Sequence, residues 1–247
     1  MQNTEKIEKV EQIKDVIQLL DWQFGKITLD AQNVEEYNEK YYKILGWNDE
    51  VDVLYSIIAL YALGLCAYYP EKYDVKQFRI FRQGTQQNRA YSAKHVEELY
   101  KSQEARKLNQ NQYLREFAKI SYKIGNVVPI WPGGNEDKGK DDVFDLPDLY
   151  FKKHEFWTKA LENKYRENIF LEELLDSNWI VVEHKNRQEY NSSILGLTST
   201  PDFLKSLFDE KNSVEWRIAL YNTFLERINY IIETRTKKLN EFIRTHV

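Results

Sequence analysis

The chain has 247 residues, 42% of them apolar and 14% aromatic, which is enough for a sizeable core in one domain or two tightly packed subdomains. Its 35 basic and 39 acidic residues leave a net charge of -4, which argues against a dedicated non-specific DNA binder but leaves room for a local basic patch. A single cysteine, Cys66, excludes an intrachain disulfide and a multi-cysteine zinc site.

The opening "MQNTEKIEKVEQIKDV" carries charges every few residues and lacks the apolar core of a signal peptide, so a cytoplasmic location is expected. Ile7, Val10, Ile13, Ile17 and Leu20 recur at three- and four-residue steps and predict an amphipathic helix over 4–20. A second helix is expected after Asp30, carrying Val34, Tyr37, Tyr41 and Ile44 on one side and ending at Gly46. Leu54 to Tyr69, "LYSIIALYALGLCAYY", is uncharged but too short and too rich in tyrosine to span a membrane. It reads as a buried central helix, capped by Asn48 or Asp49 and ended by Pro70.

The segment 73–83 fits a short strand or a helix. Helices are expected over 92–107 and 111–123, the second stopping at Gly125-Asn126. Five of the chain's nine Gly and five Pro residues then fall between Gly125 and Gly134. In that stretch Gly125 and Asn126 are suited to positive φ, Pro129 and Pro132 to an extended path, and Gly133-Gly134 to a reversal. Trp131 gives this ordered loop a flat apolar surface, and Asn126, Asn135, Lys138 and Lys140 give it hydrogen-bond donors for a phosphate, a nucleotide or a partner carboxylate. The competing reading of the same loop is a connector pinned to the core by Trp131. Pro147 suits the first turn of a further helix, "NWIVVEHK" at 178–185 is the most strand-like run, and 213–245 reads as one helix of about thirty residues or two broken near 234–236.

Several constellations carry chemistry in principle. Arg89 and His95 have the Arg-x5-His spacing of a class of all-helical ribonucleases, in which guanidinium holds phosphate and imidazole moves the proton. A solvated helix face accounts for the same spacing. Pro147-Asp148 and Glu183-x-Lys185 have the order of a PD-(D/E)xK nuclease, in which the carboxylates of Asp148 and Glu183 would hold Mg²⁺ and Lys185 would help activate water. Helix capping and a strand-end charge pair explain them more simply. The acidic cluster Asp141, Asp142, Asp145 and Asp148 lacks the ligand spacing of an EF-hand, and "GGNEDKGK" lacks the strand and the Gly-Lys-Ser/Thr ending of a phosphate loop. No cofactor is expected beyond Mg²⁺ in the nuclease reading.

The segments "YKIGNVVPIWPGGNEDKG", "DVFDLPDLYF" and "RINYIIETRTKKL" resemble a family of uncharacterised bacterial proteins that share an Ile-Gly-Asn turn, a Pro-rich loop, an acidic helix start and a closing helix with a late Arg. The resemblance covers residues 75–245 and implies no known reaction. Ile124, Gly125 and Asn126 are also similar to an element of the DNA-cutting region of Gmr-type modification-dependent restriction enzymes, without that region's upstream Asp-His-Ile-x-Pro type motif. The expectation is a mainly α, helical bundle-like single domain over 1–247, with at most a minor β element and any subdivision near 124–147. The function expected is a nucleic-acid- or nucleotide-directed protein of the bacterial defence or toxin type. The alternative is a non-catalytic helical protein that holds a protein partner, or a second copy of itself, through the 124–140 loop.

Overall fold

A computed structural model describes residues 13–26, 42–45, 50–73, 86–130, 209 and 211–246. They form six helices and a two-stranded antiparallel ribbon, in the order α1 (Val16–Gln23), β1 (Glu50–Val53), α2 (Ile57–Tyr68), α3 (Gln86–Leu99), α4 (Arg106–Asn109), α5 (Gln112–Ile120), a 3₁₀ turn (Ile124–Asn126), β2 (Val127–Ile130) and α6 (Val214–His246). The fold is mainly α, as expected. The segments 74–83, 131–147 and 178–185 lie outside the described residues.

Of the helix expected over 4–20, residues 4–12 lie outside the described residues, and the described α1 begins at Val16. Asp15 is extended (φ -148°, ψ 170°) and its carboxylate accepts from Gln18 N at 2.9 Å, which makes it the N-cap of α1. Gly25 has φ 68°; its amide bonds Trp22 O while Lys26 N bonds Asp21 O, the paired closure that ends a helix with a left-handed residue.

Apolar on every side, α2 is the centre of the core, with ten of its twelve residues buried. It begins at Ile57 after Ser56, not after Asn48 or Asp49, because β1 intervenes. Tyr69 follows it outside the helical region (φ -136°, ψ 55°), as suits a residue before Pro70. A Cβ at Gly64 would stand 2.6 Å from Leu108 Cδ1 and 2.8 Å from Tyr221 Oη, so glycine is what allows α6 this close. Tyr221 uses the approach to donate to Leu60 O at 2.8 Å.

The helix expected over 92–107 is two pieces. α3 runs from Gln86 to Leu99, a turn at 100–105 follows, and α4 is a single short turn. Asn111 then caps α5 by accepting from Leu114 N at 2.9 Å, and its amide donates to Tyr68 Oη (2.8 Å) and Asn222 Oδ1 (2.6 Å). One side chain thereby joins α2, α5 and α6.

At 33 residues, α6 is continuous and about 50 Å long. Tyr221, Leu225, Ile228, Ile232, Arg235, Leu239 and Ile243 are buried along it at three- and four-residue steps. Its first half packs on the main core with α2 and α5, and its second half on a smaller cluster of Leu45, Ile124 and Val127. The ribbon registers Glu50 with Ile130 and Val53 with Val127, and Leu54 N continues it to Asn126 O at 2.8 Å. That pattern puts Pro129, opposite Val51, at a position whose missing N–H would point away from β1.

Candidate functional site

The Ile-Gly-Asn turn is clamped to α6 through both backbone groups of Gly125. Gly125 N donates to Thr236 Oγ1 at 3.1 Å, Arg235 Nη1 donates to Gly125 O at 2.6 Å, and Thr236 Oγ1 itself donates to Ile232 O at 2.7 Å. A Cβ at Gly125 would fall 2.0 Å from Ile232 O. Glycine is required here by contact with the α6 backbone, not by positive φ; among the described glycines only Gly25 has that conformation.

Asn126 does not face outward. It is 1% exposed, and its amide is fully engaged: Nδ2 donates to Tyr55 O (3.1 Å) and Ser121 O (2.8 Å), and Oδ1 accepts from Tyr55 N (3.0 Å). The expectation that this side chain offers a donor to a ligand is therefore corrected: it fastens the end of α5 to the start of α2. Trp131, Asn135 and Lys138, the other residues of the expected binding loop, lie outside the described residues, as do Asp148, Glu183 and Lys185 of the nuclease reading.

Arg89 and His95 both sit on α3, an unbroken helix. Six residues of helix separate them by about 120° around the axis and about 9 Å along it. His95 is half-buried, and the Arg89 side chain lies outside the described ones. Among the described residues no group of three or more His, Cys, Asp or Glu could hold a metal ion. Cys66 is buried in α2. No helix among the described residues is long and apolar enough to cross a membrane.

The feature that the spacing of residues did not announce is a cleft of about 350 Å³ between the start of α1, the turn after α3, α4 and α5. Three cations line it, Lys101, Arg106 and Arg115, together with one carboxylate, that of Asp15, which accepts from Gln18 N at 2.9 Å. Lys101 Nζ is bound to Asp21 Oδ1 at 2.7 Å, and the Tyr100 hydroxyl also donates to that carboxylate. Burial pushes the Asp21 carboxyl up, but the hydrogen bonds from Lys101 and Tyr100 and the charges of Lys101 and Lys26 outweigh it and hold it below the usual range. The hydrogen bond to Asp21 raises Lys101 above the ordinary lysine range in turn. Arg106 and Arg115 are exposed, and among the described residues neither guanidinium has an ion pair or a side-chain hydrogen bond. Two undischarged forks on one concave wall suit an anion with several oxygens.

The wall is stiff. Asn109 Nδ2 donates to Tyr100 O at 2.7 Å while its Oδ1 accepts from Tyr61 Oη at 2.6 Å, which ties α4 to the turn after α3 and to α2. Ser102 Oγ accepts from Ala105 N at 3.2 Å and sets the entry to α4. The sequence does carry a trace of the site. Residues 101–115, "KSQEARKLNQNQYLR", hold four basic residues and one acidic one, interleaved with side-chain amides, in a chain of net charge -4. Helical periodicity assigns those cations to solvated faces, and only the break between α3 and α4 turns them toward one cleft. Comparison with protein-family models, with curated proteins and with solved structures finds no match for this chain.

Proposed function

We propose that this chain is a nucleic-acid- or nucleotide-directed protein that engages phosphate in the cleft of Lys101, Arg106 and Arg115. The observation that carries the reading is the pair of guanidiniums without a counter-ion among the described residues, set on a wall pinned by Asn109. Bidentate guanidinium contacts are the usual protein answer to phosphate oxygens, and a pre-set wall reduces the conformational entropy lost on binding. The bacterial defence or toxin setting rests on the sequence resemblance, and a cytoplasmic setting on the single buried cysteine. No chemical step is assigned.

The test is titration of the purified protein with labelled RNA, DNA and nucleotides, with Mg²⁺ or with EDTA. Binding should weaken steeply as salt rises, because phosphate contacts release counterions. Arg106→Gln with Arg115→Gln should weaken it by about tenfold or more while the melting temperature holds. Absence of binding to every phosphate ligand, or binding indifferent to the double substitution, overturns the reading.

A second reading, a non-catalytic partner-binding protein, draws support from the root of the 124–140 loop. The chain enters that loop from a turn clamped to α6 by Arg235 and Thr236. Asn135→Ala with Lys138→Ala should then abolish partner capture and leave melting within a few degrees of wild type. Normal capture, or a much lower melting temperature, would make the loop scaffold.

A further inference from the structure

Among the described residues the cleft is lined without a ring. Beside its three cations it presents the Asp15 carboxylate, the exposed amides of Gln103 and Gln110, the Ser102 hydroxyl and the aliphatic side chains of Val16 and Ile17. Proteins that hold a single nucleic-acid strand stack its bases on aromatic faces along a basic groove, and that stacking supplies much of the affinity. Of the rings nearby, Tyr100 is wholly buried, Tyr113 is partly buried against the main core, and the Tyr61 hydroxyl is spent on Asn109. The surroundings also fail to extend the positive charge in every direction. Lys26 is paired with Glu97 at 3.1 Å, Lys72 with Glu104 at 3.0 Å and Lys94 with Glu98 at 3.9 Å.

We propose, resting on the phosphate-binding reading above, that the cleft recognises a compact pyrophosphate group, as carried by a nucleoside diphosphate or as the free anion, and not a polynucleotide strand. Arg106 and Arg115, on α4 and α5, supply two forks to one cleft of about 350 Å³, enough for two adjoining phosphoryl groups, and no ring among the described lining residues is there to stack a base. Lys101, steadied by Asp21, adds a point charge at the rim. The amides of Gln103 and Gln110 are left for the hydroxyls or the base edge of an attached nucleoside. Recognition then lies in charge and compactness, and the base contributes little.

The experiment is calorimetric titration of the full chain with inorganic pyrophosphate, ADP, orthophosphate, adenosine and a ten-residue oligothymidylate, repeated with Arg106→Gln plus Arg115→Gln. Pyrophosphate and ADP should bind within about tenfold of each other and at least about tenfold more tightly than orthophosphate, and adenosine should not bind. The double substitution should remove both interactions by a similar factor, with circular dichroism and melting unchanged. ADP binding with silent pyrophosphate would place the source in the nucleoside and overturn the proposal. Oligothymidylate binding more tightly than pyrophosphate, and lost in the double variant, would overturn it too while the phosphate-binding reading stands. Silence from every ligand would sink both. Should the double variant unfold, Arg115→Lys alone serves: it keeps the charge and loses the fork, and it should weaken pyrophosphate more than orthophosphate. Equal weakening of the two would overturn the proposal.

Discussion

Asn126 spends both ends of its amide on backbone groups of Tyr55 and Ser121, all of them inside the protein. Asn126→Ala therefore strips one buried N–H and two buried carbonyls of this partner, and since each such group costs about 1–3 kcal/mol, a loss of about 3 kcal/mol or more is expected. Urea denaturation reads it directly, as a lower midpoint with an unchanged slope. An unaltered midpoint would return Asn126 to the ligand-facing role its neighbourhood in the sequence suggests. Asp21 works through charge. Its folded pKa lies below the unfolded one, so its contribution is complete above about pH 4 and fades as pH falls through the lowered folded value. The stability gap between wild type and Asp21→Asn should thus be full near neutral pH and shrink as pH falls below the ordinary carboxylate range. A gap independent of pH would show that the Lys101 and Tyr100 contacts do not hold the carboxylate.

Among the elements, α2 answers for the core. Leu60 is wholly buried between α6 and the rest of the main cluster, so Leu60→Asp places an unpaired carboxylate where desolvation costs several kcal/mol, comparable with the whole stability of a fold this size. Insoluble or unfolded protein is the expected outcome; a soluble variant with unchanged melting would refute the central placement. This helix was legible because twelve consecutive residues without a charge or a helix-breaking proline have few other ways to avoid water. β1 was not. Its four residues, Glu50–Val53, alternate charged and apolar, yet what makes them a strand is pairing with residues 127–130, a partner that periodicity along the chain cannot see. The break between α3 and α4 was hidden for a similar reason, since Ser102 and Asn109 interrupt the helix through bonds to Ala105 and to Tyr100 and Tyr61.

Across the molecule, α6 links the main cluster to the smaller one, and the Ile-Gly-Asn turn is fastened at the passage between them. Little of the candidate site could be read beforehand. Arg89 and His95 stood out by spacing and share α3, whereas Lys101, Arg106 and Arg115 come from the turn after α3, from α4 and from α5 and meet only in the folded chain. The late Arg of the closing helix, Arg235, was visible as a residue, and its buried bond to the carbonyl of Gly125 was not. The choice the sequence left open, one long helix or two broken near 234–236, gives the most telling test. Thr234 lies within continuous α6, where proline removes a backbone bond and collides with the preceding turn at a cost of about 3 kcal/mol or more. Thr234→Pro should do more than lower stability. By kinking α6 just before Arg235 and Thr236 it should release the 124–126 turn and the ribbon built on it, while Tyr221 and Ile228 keep their places in the main core. Hydrogen exchange should then quicken at the amides of 50–54 and 125–128 far more than at those of 57–66. If all these amides quicken together, the two clusters unfold as one unit; if none does, α6 already carries a break at Thr234 and the continuous spine is wrong.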